Sequence, residues 1–345
     1  MDERAPTLED VARVAGVSRA TVSRVVNHER RVAADLQAKV FAAVAEVGYV
    51  PNRAARSLVT RRTDTVAVVI SGTDPKDAPD QFGAMLSDPF FGRVVGGAIR
   101  ELRPRDVHPV LMLADAVRTR QQVVSFVSRG HVDGTLLVPL SGDDPLPEAL
   151  LATGRPLVRF ARPRHRSRVS WVDVANADGG ALAAGHLVDR GRRRLAVLGL
   201  PERLQVAAAA ERVEGFVEAA VERGAEVLGR ADGEFTVESG AAAARRVLDD
   251  HPRVDGLFAA NDLMAIGAVR AARERGLGVP EDLAVVGFDD SPAAALAHPA
   301  LTTVRQPVED MASEMARLLL DQIADRSPVQ RTSVLEPTLV VREST

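Results

Sequence analysis

Two arginines, Arg19 and Arg24, lie in a short segment of helical periodicity within residues 7–27, TLEDVARVAGVSRATVSRVVN. A guanidinium donates two parallel hydrogen bonds, a geometry that matches the O6 and N7 atoms of guanine in the major groove of DNA. The small residues Ala20 and Ser23 between them leave room for close approach. These residue types indicate a helix that contacts base edges in DNA.

The flanking pattern predicts two short helices joined by a tight corner. Apolar residues recur at helical spacing as Leu8, Val11, Ala12 and Ala15, and again as Val22, Val25 and Val26. Gly16 supplies the backbone freedom that such a corner needs. Ser18 stands at the N-cap position of the second helix. We interpret the segment as a helix-turn-helix, although a surface helical hairpin of a larger domain would show the same local pattern.

Hydroxyl and amide side chains around this corner are candidates for contacts to DNA phosphates. They are Thr7, Thr21, Ser23 and Asn27. Such contacts position a protein on the duplex without reading its sequence. For Thr21 and Ser23, ordinary solvation of a helix surface is the alternative.

A third helix and a connecting segment follow. Leu36, Val40, Ala43, Val44 and Val47 form an apolar stripe that Gly48 ends. Residues 52–62, NRAARSLVTRR, are too few for a core of their own, and Asn52 can cap a short helix there. For residues 52–62, an ordinary interdomain linker is the alternative to this short helix.

Residues 7–62 resemble the DNA-binding headpiece of the LacI (lactose/galactose repressor) family, through DVARVAGVSRATVSRVVN and GYVPNRAARSL. The resemblance implies that Arg19, Ala20 and Arg24 occupy the specificity positions of the recognition helix. It also implies a hinge helix in which Leu58 wedges into the minor groove and the small Ala55 permits close approach. The predicted DNA-binding set is Thr7, Ser18, Arg19, Ala20, Thr21, Ser23, Arg24, Asn27, Asn52, Ala55 and Leu58.

The bulk composition favours a cytoplasmic protein of two or three domains. The 345 residues include no cysteine and no apolar run of about 18 residues, and the charged start MDERAPTLED is unlike a secretory signal. The seven histidines show no metal-binding spacing, so neither metal nor cofactor is expected. Residues 1–62 carry 11 Lys and Arg against 7 Asp and Glu, whereas the remainder carries 33 against 40. A basic head suits a phosphate-binding module.

From Thr65 onward, short apolar runs alternate with helical stretches. The predicted strands are 65–70, 109–113, 134–140, 156–160, 194–200, 256–260 and 283–288. The predicted helices are 91–103, 179–190, 211–223, 239–250 and 261–275. This alternation is typical of open, mostly parallel α/β sheets, with enough units for two Rossmann-like lobes. Ligands bind such sheets beyond the carboxyl ends of the strands.

The same family resemblance covers the rest of the chain, through DPFFGRVVGGAIREL, FAANDLMAIGAVRAA, VVGFDDSPAAALAHPALTTVRQP and LVVREST. It implies an all-α helix-turn-helix headpiece followed by a periplasmic-binding-protein-like α/β core. The expected domains are 1–51 for the headpiece, 52–63 for the hinge and 64–345 for the core. The N-lobe is expected at about 64–162 and 293–325, and the C-lobe at about 163–292 and 326–345. Residues 72–87 depart from the family pattern as an insertion.

The resemblance also implies an effector site formed by Arg212, Asn261, Asp289 and Gln306. A carboxylate, a guanidinium and amides together suit the hydroxyl groups of a sugar. An ion pair that only braces the two lobes is the alternative for Arg212 and Asp289.

Three further residues, Phe90, Trp171 and Arg162, complete the predicted effector set. Phe90 or Trp171 could stack on the apolar face of a sugar, although core packing is the favoured role for the phenylalanine. Arg162 belongs to the tract 159–168, RFARPRHRSR, whose five arginines suit an anionic effector such as a phosphosugar. A solvated basic loop is the favoured interpretation of that tract.

These features predict a transcriptional regulator, a repressor, whose operator affinity a small effector controls. A homodimer on pseudo-palindromic double-stranded DNA is expected because one headpiece is small, and the end of the chain shows no heptads for a coiled-coil tetramer. A sugar-binding protein without a gene-regulatory role is the alternative. An enzyme is not expected, since GVSRA at 16–20 departs from GxSxG and no phosphate-binding GxxxxGK[ST] loop is present.

Overall fold

The computed structural model describes residues 6–26, 32–49, 62–72, 88–202, 205–325 and 329–345. Its internal contacts divide the chain into two compact units, residues 1–63 and 64–345. The predicted DNA contacts of Asn27, Asn52, Ala55 and Leu58 lie outside the described residues, and so does 73–87 of the predicted insertion.

The first unit contains three helices, α1 (Leu8–Ala15), α2 (Arg19–Val26) and α3 (Ala34–Val47). Their apolar faces meet in a small core built from Val11, Val22, Val25, Val40 and Ala43. Gly16 and Gly48 end α1 and α3 with φ angles of 65° and 64°, in the left-handed region that glycine adopts without strain. The three predicted helices are therefore confirmed.

The second unit alternates strands and helices along the chain. Its strands are β1 (Thr65–Ser71), β2 (His108–Ala114), β3 (Gly134–Pro139), β4 (Leu157–Phe160), β5 (Ser170–Val174), β6 (Arg194–Gly199), β7 (Glu226–Asp232), β8 (Gly256–Ala259), β9 (Ala284–Phe288), β10 (Thr302–Arg305), β11 (Thr332–Leu335) and β12 (Thr338–Val340). Its helices are α4 (Pro89–Leu102), α5 (Val117–Ser128), α6 (Leu146–Leu151), α7 (Asn176–Asp189), α8 (Ala207–Glu222), α9 (Val237–Asp250), α10 (Asp262–Glu274), α11 (Pro292–Leu296) and α12 (Val308–Ala324), with a short 3₁₀ turn at Arg103–Arg105.

The strands form two six-stranded sheets, one in each lobe. The first runs β11-β5-β4-β3-β1-β2 and is parallel throughout. The second runs β12-β10-β9-β8-β6-β7 and is parallel except for β12. Helices α4 and α12 cover one face of the first sheet and α5 and α6 the other. Helices α7 and α8 cover one face of the second sheet, and helices α9 and α10 cover the other face. The predicted two-lobed α/β core is confirmed.

The lobe boundaries differ from those that the sequence predicted. Strand β5 pairs with β4 in the first sheet, so the first lobe continues to about residue 174 rather than 162. Strand β10 belongs to the second sheet, whereas β11 returns to the first. The chain thus crosses between lobes three times, after β5, after β10 and after β11. Order along the chain does not reveal such crossings, because the strands next to them, β5, β10, β11 and β12, are three to five residues long and carry little periodicity.

The crossing of α7 and α8 depends on glycine. A β-carbon built on Gly180 of α7 would lie 2.0 Å from the carbonyl oxygen of Arg212 in α8, and one on Gly215 would lie 2.1 Å from that of Ala177. Real β-carbons do not approach backbone oxygen so closely, so the two helices must separate if either glycine gains a side chain.

No helix among the described residues is both long and apolar enough to cross a bilayer.

We expect Gly180→Ala to lower the free energy of unfolding by about 1–3 kcal/mol, because overpacking displaces α8. Thermal unfolding of the full chain measures the loss. Gly96→Ala in α4 is the matched control: a β-carbon there meets no atom within 4 Å, so the better helix propensity of alanine should leave stability unchanged or raise it. Equal midpoints for the two variants would contradict the close-contact role of Gly180.

Candidate functional site

Helix α2 presents the predicted recognition residues to solvent. Arg19, Ala20 and Arg24 are exposed, and Thr21 and Ser23 are half-buried. The Ser18 hydroxyl accepts a hydrogen bond from the Thr21 backbone N–H at 3.2 Å, so the predicted N-cap is confirmed. The helix therefore offers one side-chain face of suitable size for the major groove.

Two interactions within this unit were not predicted. The Arg19 Nε lies 2.9 Å from Oε1 of Glu9 in α1, which holds the guanidinium across the corner between the helices. Thr7 donates both its backbone N–H and its hydroxyl to Oδ2 of Asp10, at 3.0 and 2.8 Å. Thr7 thus stands at the N-cap position of α1, bound to the side chain of Asp10, and its contact with a phosphate stays a prediction.

The predicted effector residues of the second lobe converge on the guanidinium of Arg212. Its Nη2 donates to Oε1 of Gln306 at 2.7 Å, and its Nη1 lies 3.4 Å from Oδ1 of Asp289. The same Nη1 donates to the carbonyl oxygen of Ala260 at 2.8 Å, and Nε donates to Oδ1 of Asn176 at 2.9 Å. Arg212 thus joins segments that follow β5, β8, β9 and β10 at their carboxyl ends.

Besides these acceptors, the buried carboxyl groups of Asp173 and Asp262 act electrostatically on Arg212. The side chain is buried, and its Cζ atom lies 3.7 Å from the centre of the Phe288 ring. Burial lowers the pKa of the guanidinium, against the attraction of Asp289. A buried cation persists only when its donors are satisfied, so this residue fixes the geometry of its acceptors.

Asp289 stands directly after β9 in an uncommon backbone conformation. Its φ is 109° and that of Asp290 is 49°. Both angles lie in the region that favours glycine, and such strain often occurs at ligand sites. Burial raises the pKa of the Asp289 carboxyl to about 8, against the attraction of Arg212. The neighbouring carboxylates Asp262 and Asp88 raise it as well.

Asn261 lies next to the cluster and caps α10. Its Oδ1 accepts from the Met264 N–H at 2.9 Å and its Nδ2 donates to the Phe235 carbonyl at 3.2 Å. The adjacent Ala260 carbonyl is the one that Arg212 holds. The structure therefore brings Asn261 to the edge of the cluster without a direct bond to Arg212.

Asn176 and Asp173 are parts of the cluster that sequence reasoning missed. Asn176 donates from Nδ2 to Oδ1 of Asp173 at 3.0 Å while its own Oδ1 accepts from Arg212. Asp173 is buried at the carboxyl end of β5, and burial raises its pKa. Asp173 lies within β5 and Asn176 just after it, and the short polar-containing strand SWVDV was not predicted from the sequence.

The remaining predicted effector residues fall in different places. Phe90 packs edge-on against Phe160, with ring centres 5.2 Å apart, at the carboxyl end of β4. Arg162 is exposed and pairs with Glu211 of α8 at 2.5 Å. Trp171 is the second residue of β5, opposite Arg159 and Thr332 in the sheet register. It therefore lies two residues nearer the amino end of the strand than Asp173.

This arrangement suits a hydroxyl-rich ligand. Guanidinium, amide and carboxyl groups lie within one buried cluster, and together they donate to and accept from hydroxyl groups in fixed directions. The pairing of Arg162 with Glu211 offsets one positive charge of the tract 159–168.

The raised pKa of Asp289 predicts a pH dependence of stability. Its pKa is about 8 in the folded chain and roughly 3.9 in an unfolded one. Between these values ionisation is easier in the unfolded chain, so stability falls as pH rises. This residue alone should lower the free energy of unfolding by up to about 1.4 kcal/mol per pH unit.

Chemical unfolding of wild type and Asp289→Asn at pH 5, 6, 7 and 8 measures this dependence. The readout is the slope of the free energy of unfolding against pH, because the substitution itself changes the absolute stability. We expect the wild type to lose stability more steeply than the variant across this range. Parallel curves would contradict a protonated Asp289 in the folded chain.

Comparison with known proteins assigns both units. Residues 7–52 match the lacI family of bacterial regulatory proteins, and residues 184–345 match a periplasmic binding protein-like domain. The HTH-type transcriptional regulator CelR of Thermobifida fusca is 44% identical over 99% of this chain and 98% of its own length. The HTH-type transcriptional repressor PurR of Erwinia tasmaniensis is 32% identical over 98% of this chain and 96% of its own.

Similar solved structures are transcriptional regulators, as the relatives in sequence are. A complex of the transcriptional regulator CelR with cellobiose has a TM-score of 0.75 and 41% identity, and covers 99% of this chain and 100% of its own. A lac repressor dimer bound to operator and the anti-inducer ONPF has a TM-score of 0.82 and 26% identity, with 99% of each chain covered. These relatives are regulators and not enzymes. The similarity spans nearly the whole sequence, and the chain belongs to the lacI family of bacterial regulatory proteins.

Proposed function

We propose that this protein is a sequence-specific DNA-binding transcriptional repressor whose affinity for its operator is controlled by a sugar. The single observation that carries the proposal is the buried Arg212 cluster in a chain that also has an exposed recognition helix. The first unit suits binding to DNA, and the second unit suits binding to a polyol. Since it acts on DNA, we infer that it works in the cytoplasm.

The proposed effector is a neutral glucose disaccharide such as cellobiose. The relative that binds cellobiose in its solved structure is 41% identical to this chain. Within the chain, Arg162 is paired with Glu211, so the basic tract 159–168 offers less charge to a phosphosugar than its sequence suggested. The proposed contacts to the sugar come from Asn261 and Asp289, with Arg212 and Gln306 beside them and Phe90 at the rim.

The proposed assembly on DNA is a homodimer. The lac repressor binds its operator as a dimer in the solved structure, and two copies of α2 related by twofold symmetry would contact two half-sites of a pseudo-palindrome. An effector that prefers one arrangement of the lobes would then shift the dimer between states of different DNA affinity.

Selection from random duplex DNA with the full chain, followed by fluorescence anisotropy, tests the proposed function. We expect the selected site to be pseudo-palindromic. Cellobiose should change the affinity for that site by about 5–150-fold, the usual range of allosteric coupling. Ribose and glucose 6-phosphate serve as comparison ligands. A selected sequence without symmetry, or equal affinity with and without every sugar, would contradict the proposal.

Replacement of Arg19 by alanine separates base contact from phosphate contact. We expect discrimination between the selected site and a scrambled duplex to fall by about 1–3 kcal/mol, because a bidentate contact to guanine is lost. Arg13→Ala is the matched control, since Arg13 is an exposed arginine of α1 outside the recognition helix. Equal losses on both duplexes for Arg19→Ala would refute base-specific contact by this residue.

A further inference from the structure

A second arginine, Arg93, holds the same two residues that Arg212 holds. Its Nη1 donates to the carbonyl oxygen of Asp289 at 2.8 Å, and its Nη2 donates to that of Gln306 at 3.2 Å. Arg212 contacts the side chains of these residues, whereas Arg93 contacts their backbone. Asp289 and Gln306 are therefore fixed from two directions by two guanidinium groups.

The two arginines come from different lobes. Arg93 lies on α4, which packs on the first sheet, whereas Asp289 and Gln306 follow strands of the second sheet. Gln306 also stands where the chain crosses between the lobes after β10. A rotation of one lobe against the other would lengthen the bonds from Arg93 to these carbonyl oxygens.

Glu309 anchors the Arg93 side chain. Its two carboxylate oxygens accept from Nε and Nη2 of Arg93 at 2.7 and 2.8 Å, the paired geometry that a planar guanidinium favours. The Arg93 side chain is only 13% exposed. Bidentate pairing and burial restrict its rotamers, so the remaining N–H groups point in fixed directions.

The Asp289 backbone needs such support. With φ at 109° it occupies a conformation that the surrounding structure must maintain. Its carbonyl oxygen accepts from Arg93 and its side-chain Oδ1 accepts from Arg212. If the carbonyl is released, the peptide can turn, and the carboxyl group then loses its orientation toward the site.

We propose that Arg93 is a positioning residue of the effector site, which orients Asp289 and Gln306 through their carbonyl oxygens and ties both to the first lobe. It acts through these two residues and makes no contact with the effector itself. The proposal rests on the sugar-controlled function proposed above, and it adds a residue of the first lobe that holds the site in place.

The chain provides a matched control for the test. Arg100 lies on the same helix and pairs with Asp310 of α12 at 2.6 Å, so it bridges the same two helices as Arg93. Its other acceptors, the Ser313 hydroxyl and the Glu309 carbonyl, also belong to α12. A role limited to joining α4 and α12 would make Arg93→Gln and Arg100→Gln behave alike.

Amide hydrogen exchange in the full chain without ligand is the first readout. We expect Arg93→Gln to speed exchange in residues 288–291 and 304–306 relative to wild type. Arg100→Gln should leave both segments unchanged, and Arg93→Lys, with fewer and less directed donors, should fall between. Unchanged exchange in both segments of Arg93→Gln, or equal acceleration by Arg100→Gln, would overturn the proposal.

Cellobiose affinity, measured by calorimetry, is the second readout. We expect Arg93→Gln to weaken binding by about tenfold, with Arg100→Gln close to wild type. Wild-type affinity in Arg93→Gln would overturn the proposal. If the wild type itself binds no cellobiose, the proposed effector is wrong, while the exchange data, which need no sugar, still decide the role of Arg93.

Discussion

The buried guanidinium of Arg212 is the interaction that ties the candidate site to the connections between the lobes. A cation removed from water is tolerated only where acceptors surround it, and here these are Asn176, Ala260, Asp289 and Gln306. Asn176 lies at the first connection, where the chain leaves β5 and enters the second lobe. Gln306 lies at the second connection, where the chain leaves β10 and returns to the first lobe. One side chain therefore joins two of the three connections between the lobes, and its position is linked to their arrangement.

This linkage gives the fold a physical route from ligand to lobe geometry. A ligand that takes hydrogen bonds from Arg212 or Asp289 competes with bonds that now brace the crossings. It shifts the arrangement only as far as its affinity differs between the two states. Arg93 supplies the opposing constraint, because it binds the backbone of the same residues from the first lobe. The backbone strain at Asp289 is maintained between these two arginines.

Sequence reasoning recovered the parts of the structure that have strong local signals. The buried runs at β1, β3, β6 and β9 were predicted because apolar, β-branched strands covered on both faces leave a clear pattern. Strands β7, β11 and β12 were missed because edge strands are half exposed and polar. Family motifs found Arg212, Asp289 and Gln306. They did not find Asn176 or Arg93, whose roles arise from the crossings and from a contact between residues 196 positions apart.

The placement of Trp171 shows the same limit. Its neighbourhood in sequence suggested the site, and in the structure it lies two residues before Asp173, opposite Arg159 in the sheet. The arginine tract likewise has a different meaning once Arg162 is found paired with Glu211. Nearness along the chain predicted the region of the site, whereas side-chain pairing in the structure shows which residues contact Arg212.

The most direct test of a central role for Arg212 is the operator affinity of Arg212→Lys, measured with and without saturating sugar. A lysine keeps the charge but cannot donate to acceptors on four segments at once. If Arg212 links the site to the lobes, the variant should fold and bind operator, while its affinity no longer changes with sugar. A full wild-type response, in a variant whose thermal unfolding shows an intact core, would contradict that role.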